Sequence, residues 1–197
     1  MIELTPELVA RIQSLVNAAA AAGEPEPTSM ALATRNADGG TSVRIVLLKG
    51  VDARGLRFFT NYESRKGHQL DAWPEVALSM HFKHLEHGVQ IRVEGRAEKL
   101  PAAESDAYFA TRPRGSQIGA WASQQSRELA DRSELEARVA RFEVEYAGRE
   151  VPRPPHWGGF VVRPHLIEFW HAQPSRLHER ESFAVHDGQW QAALLYP

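Results

Sequence analysis

The chain has no cysteine in its 197 residues. Disulfides, thiolate metal centres and a thiol nucleophile are excluded together, and a reducing compartment suits such a chain. No apolar run approaches the roughly 18 residues needed to cross a bilayer. The opening Met1-Ile2-Glu3-Leu4-Thr5-Pro6-Glu7 lacks the basic start and apolar stretch of a secretory signal. Neither sign of charge dominates: 23 Lys and Arg against 25 Asp and Glu leave −2. No bulk field therefore draws in nucleic acid or a membrane surface, and any basic cluster is local and aimed at something small. The motifs G-x-G-x-x-G, G-x-x-x-x-G-K-[ST] and G-x-S-x-G are all missing, which removes the usual nucleotide and hydrolase signatures. The expectation is a soluble cytoplasmic protein with a small-molecule ligand. Its length suits one domain over residues 1–197, with enough chain to bury a core.

Local patterns predict a mainly β fold. Thr5 as N-cap, Pro6 at the first helical position and Glu7 at the positive end start a helix. Leu8, Ile12, Leu15 and Val16 form its apolar stripe and Gly23 ends it, giving an N-terminal helix within 1–23. Glu24-Pro25-Glu26-Pro27 is a stiff link inside the domain. Met30–Thr34 and Ser42–Lys49 flank the turn formers of residues 36–40 and predict a hairpin. Leu56–Asn61, Val76–Phe82 and Val89–Glu94 follow as strands, the last alternating Val89, Ile91 and Val93 with polar residues. Helices are expected over Pro101–Thr111 and Glu134–Tyr146, the second capped by Ser133 with Glu136 at capping-box spacing. After the bend Val151–Pro155, the segment 160–197 predicts strands at Phe160–Arg163, Ile167–His171, Leu177–Val185 and near Trp190–Leu195. Many short strands with few helices predict an α+β, mainly β, antiparallel barrel with peripheral helices.

Several cationic positions lack an obvious structural reason. In Thr60-Asn61-Tyr62-Glu63-Ser64-Arg65-Lys66-Gly67, a strand ends and Ser64 can cap a short helix running toward Trp73. Arg65 and Lys66 then sit in a first turn that is already electropositive, which suits a phosphate; a solvated basic turn is the bland alternative. Arg44 and Lys49 bracket the apolar Ile45-Val46-Leu47-Leu48 as in a buried strand. Their odd separation puts them on opposite faces if that strand is regular. Tyr108 and Arg112, one helical turn apart, precede Ser116 in a Gly-containing loop and suit a second small anion. Arg176, His178 and Arg180 share one strand face at i, i+2 and i+4, around an anionic ligand or on an exposed edge. His81, His84 and His87 have metal-like spacing but no completing ligand set, so no metal site is expected.

The blocks RIVLLK (44–49), SRKGHQL (64–70), YFATRPRGSQIGAWAS (108–123), QS (125–126), WGGF (157–160), EFW (168–170) and RLHER (176–180) resemble the pyridoxamine 5′-phosphate oxidase family. They keep the family's order and span the chain from about residue 28 to its end. The resemblance implies a homodimer of split β-barrels with FMN in clefts at the subunit interface, completed by the C-terminal strands. It implies oxidation of pyridoxamine or pyridoxine 5′-phosphate to pyridoxal 5′-phosphate by oxygen, with release of hydrogen peroxide. The family's FMN contacts fall on Arg44, Ile45, Val46, Leu47, Leu48, Lys49, Phe59, Thr60, Arg65, Lys66, Gln90, Gln125, Ser126, Trp170 and Arg180. Its substrate contacts fall on Lys49, Tyr108, Arg112 and Ser116 at the phosphate, and on Arg176, Leu177 and His178. Arg176 is implied to orient the ring at the reacting carbon and His178 to tune or relay a proton. Phe59 replaces a frequent Tyr, Glu179 a usual Asp and Leu194 a common Arg. The loop at Lys83–Gly88 is two residues longer than in many members. The leader that carries an Arg and a Tyr over the substrate in some members has no counterpart. A phenazine-type FMN oxidase and a non-catalytic FMN or pyridoxal-phosphate carrier are the rival readings.

Overall fold

Thr5 caps a helix as its neighbours predict. In the computed structural model, which describes residues 2–197, helix α1 spans Pro6–Ala21 and the Leu8 amide donates to the Thr5 hydroxyl. Leu8, Ile12 and Ala19 are buried on one stripe. Gly23 lies just beyond the helix at φ +80°, the left-handed region that glycine adopts without strain.

Among the described residues nine strands make one antiparallel sheet: β1 (Ser29–Arg35), β2 (Thr41–Leu47), β3 (Gly50–Asp52), β4 (Gly55–Asn61), β5 (Glu75–Phe82), β6 (Val89–Lys99), β7 (Trp157–His171), β8 (Glu179–His186) and β9 (Gln189–Leu195). Their order is β2-β1-β5-β6-β7-β4-β3, and β8 and β9 continue from β7. The sheet curls until β2 meets β4, which makes a split barrel of the kind expected. Alternating residues of β1, β5 and β6 point inward, so Met30, Leu32, Met80 and Ile91 join Phe58, Phe160 and the α1 stripe in one core. Helices α2 (Arg65–Ala72), α3 (Ala102–Ala110), α4 (Arg114–Ala122) and α5 (Arg132–Glu145) lie outside. The last three close a second core of Phe109, Ile118, Tyr146, Val151 and Trp157. No helix among the described residues is long and apolar enough to cross a membrane.

Several boundaries differ from the sequence expectation. The strand expected to reach Lys49 stops at Leu47, and it is not buried: Val43 is 67% and Ile45 61% exposed. β2 is an edge strand with one face unopposed within the protomer, and only Val46 and then Leu48 pack inward. The two strands expected at 160–163 and 167–171 are the single β7. Pro164 is tolerated because it pairs with Gly95 at a bulge, where the regular ladder is already interrupted. Helix α4 replaces the loop expected around Ser116. The cap of α5 is Asp131, which accepts from the Ser133 amide at 2.8 Å, so Ser133 lies inside the helix.

A Cβ on Gly67 would overlap the Tyr62 carbonyl, whereas one on Gly115 meets nothing within 4 Å. Gly67→Ala is therefore expected to cost about 2 kcal/mol in urea unfolding. Gly115→Ala, in the open first turn of α4, should be neutral or slightly stabilising.

Candidate active site

β4 ends at Asn61, whose side-chain oxygen accepts from the Glu63 amide and turns the chain toward α2. Ser64 caps that helix by accepting from the Gly67 amide at 3.2 Å. The turn aims Lys66 inward and leaves Arg65 exposed, donating to Asn36 Oδ1 at 3.3 Å. Lys66 Nζ donates to Thr60 Oγ1 at 2.9 Å, Ser64 Oγ at 3.3 Å and Gln125 Oε1 at 2.6 Å. All three partners are neutral. Burial, and then the charge of Arg44, pull the Lys66 pKa down to about 8.

Arg44 is held in the same way. It donates to the Leu32 carbonyl at 3.1 Å, to Thr34 Oγ1 and Ser42 Oγ at 2.6 Å, and to Gln69 Oε1 at 3.0 Å. Desolvation, then repulsion from Arg65, lowers its pKa. Gln69, only 6% exposed, is the hub of this network because its oxygen also accepts from Thr34 at 2.7 Å. Motifs and composition do not single out Gln69. The available signal is its i, i+3 spacing from Lys66 beside buried Leu70, which puts a polar residue on the inward face of a short helix.

An aromatic stack joins the outer helices to the barrel rim. Phe59 of β4 stacks on Tyr108 of α3 at 3.9 Å and on Trp157 at the start of β7 at 5.5 Å. The Arg112 guanidinium, in the turn between α3 and α4, lies 4.6 Å from the Trp157 ring centroid. One of its terminal nitrogens is buried without a partner. Ser116 follows in the first turn of α4. The side chains of Lys49, Lys66, Tyr108, Arg112, Ser116 and Gln125 thereby surround one cavity of about 510 Å³, with Ile45–Leu47, Phe59 and Thr60 as its wall. The break after Leu47 lets Lys49 turn into this cavity, so strand parity does not decide its direction. Arg44, Arg65, Leu48 and Ser126 are not among its lining residues. Leu48 is buried in the barrel core, and Ser126 follows Gln125 at φ +74°.

The remaining predicted residues lie elsewhere. Gln90 and Trp170 are directly opposite on β6 and β7, and the Trp170 ring lies 4.5 Å from His178. Arg176, His178 and Arg180 do not share a strand face. Pro174–Arg176 is a 3₁₀ turn, Ser175 and Arg176 are left-handed, and pairing resumes only at Glu179. Arg180 alone is in β8, where Glu168 holds it through two hydrogen bonds of 2.9 Å. His178 and Arg180 line a second cavity of about 500 Å³, while Leu177 is exposed. Thr60 is paired with Gly158, twelve positions before Trp170 on β7, which is at most roughly 40 Å of strand. The two cavities of the protomer share no lining residue. Among the described residues no group of three His, Cys, Asp or Glu is arranged to hold a metal.

Residues 16–146 match the family model for pyridoxamine 5′-phosphate oxidase. Residues 157–197 match that for the pyridoxine 5′-phosphate oxidase C-terminal dimerisation region. A pyridoxine/pyridoxamine 5′-phosphate oxidase of Myxococcus xanthus is 53% identical over 194 residues, 98% of this chain and 93% of that protein. One of Cupriavidus metallidurans is 54% identical over 196 residues, 99% and 91% of the two chains. The crystal structure of PhzG from Burkholderia lata 383 with tetrahydrophenazine-1-carboxylic acid superposes with a TM-score of 0.90 at 32% identity, covering 98% of each chain.

Glu168, 4% exposed, is held well below the usual carboxylate range by its hydrogen bonds to Arg180 and by the nearby Arg92 charge. Glu168→Gln is expected to cost about 2–3 kcal/mol at neutral pH, since both guanidiniums lose their counter-ion. A depressed carboxylate contributes stability that is fully present above its unfolded value of about 4.3 and is lost as pH falls through the lower folded value. Urea titrations at pH 7 and pH 3 should therefore show the variant's deficit shrinking in acid.

Proposed function

The chain belongs to the pyridoxamine 5′-phosphate oxidase family, and we propose that it is an FMN-dependent oxidase forming pyridoxal 5′-phosphate from pyridoxamine 5′-phosphate and pyridoxine 5′-phosphate. The observation that carries this reading is a set of cations without counter-ions. Lys66 and Arg44 meet only neutral oxygens, and Arg112 keeps a buried nitrogen unpaired. Buried charge is costly until an anion arrives. We assign two phosphates to this cavity, one to each group of cations.

At one end Lys66 is assigned to the FMN phosphate, with Thr60, Gln125 and Ser126 beside it and Arg44 and Arg65 behind. Residues Ile45–Leu48 form the wall along which the flavin lies. At the other end Lys49, Tyr108, Arg112 and Ser116 are assigned to the substrate phosphate. That grip favours a phosphate ester over a phenazine. Phe59, which has no hydroxyl, contributes its ring as the platform for Tyr108.

Gln90, Trp170, Arg176, Leu177, His178 and Arg180 are assigned to the same cleft of a homodimer as a second half-site, supplied by the other copy. The match of 157–197 to a dimerisation region and the exposed apolar face of β2 support this. Bound FMN supplies the redox chemistry, taking two electrons from the substrate and passing them to oxygen. The alcohol and oxygen give the aldehyde and hydrogen peroxide; the amine also consumes water and releases ammonia. Arg176 orients the ring where hydride leaves, and Arg112 holds the phosphate, which changes little during the reaction.

The direct test is peroxide release by purified, FMN-loaded protein given pyridoxamine 5′-phosphate; tight FMN binding without peroxide would leave a carrier. Arg112→Ala should chiefly raise KM and Arg176→Ala chiefly lower kcat, with FMN content near normal in both, read by steady-state assay and flavin absorbance. Because Lys66 titrates at about 8, FMN affinity of the apoprotein should fall by up to about tenfold per pH unit above that value. In a fluorescence titration Lys66→Met should bind FMN more weakly and lack this dependence.

A further inference from the structure

The loop that presents Arg176 is closed by an imidazole. The Gln173 amide donates to His178 Nδ1 at 3.1 Å, and the Leu177 amide donates to the Pro174 carbonyl at 3.2 Å. The Gln173 side chain donates to Glu179 Oε1 at 3.2 Å. Inside these ties Ser175 and Arg176 both take left-handed backbone, at φ +58° and +62°. Non-glycine residues rarely adopt that conformation, and it persists where the surroundings over-determine it. The Trp170 ring lies 4.5 Å from the imidazole, tilted 44° to it, and crowds a turn of the ring that would offer the other nitrogen.

A backbone N–H can only donate, so the nitrogen facing it must carry a lone pair. In the neutral ring the proton is then on Nε2. An imidazolium would set Nδ1–H against the Gln173 N–H, two donors head to head, so the closed loop and the protonated ring exclude each other. The charged neighbours do not call for an imidazolium. Glu181 is paired with Arg11 at 2.6 Å, Arg180 with Glu168, and Glu179 accepts from Gln173. Among the described residues no carboxylate lies within ion-pair reach of His178; His171 is the other titratable group lining this cavity.

We propose that His178 is a neutral Nε2–H hydrogen-bond donor that pins the Arg176 loop, and not a proton relay. A relay needs one ring nitrogen to take a proton while the other gives one, and Nδ1 faces an amide that keeps its own. The tautomer and the pin follow from geometry alone. What Nε2–H donates to, an acceptor oxygen or nitrogen of the substrate, rests on the oxidase reading.

The experiment is a long-range proton–nitrogen correlation on the FMN-bound protein labelled with ¹⁵N-histidine, with His178 assigned by its absence in His178→Gln. The expected result is protonated Nε2 and bare Nδ1 at every pH where the enzyme turns over. An Nδ1–H tautomer, or an imidazolium in that range, overturns the proposal. In kinetics, Gln keeps a side-chain N–H donor and Ala does not, so His178→Gln should retain roughly tenfold more kcat than His178→Ala, the worth of about one hydrogen bond. Equal kcat in the two variants would remove the donor role. If wild-type protein releases no peroxide, the oxidase reading fails, while the tautomer measurement needs no substrate and still decides this inference.

Discussion

Lys66 sits among three neutral oxygens and is repelled by another cation, Arg44. Such an unneutralised ammonium costs on the order of several kcal/mol, a large share of the roughly 5–15 kcal/mol that separates folded from unfolded in a typical protein. Much of the N-terminal half serves to hold this arrangement. Ser64 starts α2 so that Lys66 turns inward, and Gly67 lets that helix approach the Tyr62 carbonyl. Gln69 orients Arg44 without neutralising it. A carboxylate at Gln69 would relieve the repulsion and also cancel the positive field of the two cations, which the proposed FMN phosphate would need.

The stability that offsets this cost comes from two cores joined by one strand. The first half of β7 pairs with β4 and its second half with β8, so the barrel and the C-terminal ribbon cannot separate without breaking a continuous ladder. Trp157, at the start of β7, carries Phe59, Tyr108 and Arg112 on or near its ring. The base of α3 is tied down independently. Arg54 makes a two-pronged contact with Glu104 at 2.7 and 2.8 Å while also pairing with Asp52. Isolated surface pairs contribute little, but this one is bidentate and networked, and Glu104 is one turn from Tyr108. The cavity-facing side of α3 is thus positioned from both ends.

The two cavities lie at opposite ends of the same long strand: Trp157 at the start of β7 lines the first and His171 at its end lines the second. A protomer alone leaves Val43 and Ile45 of β2 facing solvent, together with Leu177 and Leu194 near the C-terminal ribbon. Apolar surface of this kind marks an interaction face, in keeping with the match of residues 157–197 to the family's dimerisation region.

Features set by neighbours in the chain are legible in the sequence. The Thr5 and Ser64 caps, the Leu8–Ile12 stripe and the Val89, Ile91, Val93 alternation each depend on a few adjacent residues. The family blocks are legible as well, because they are short local runs. Helix α4 is not, since Gly115 and Gly119 weaken its local signal and packing of Ile118 against Phe109 and Tyr146 sustains it. Nor is the end of β2 at Leu47 legible, or the turn that removes Arg176 from β8. Those depend on where β4 and β7 offer or withhold hydrogen bonds. By itself the sequence determined the mainly β class, the cationic positions and the family. Tertiary structure alone decided which cations share a cavity, that Gln69 holds Arg44, and which nitrogen of His178 is free, because each depends on groups brought together from different parts of the chain or by the exact path of a loop.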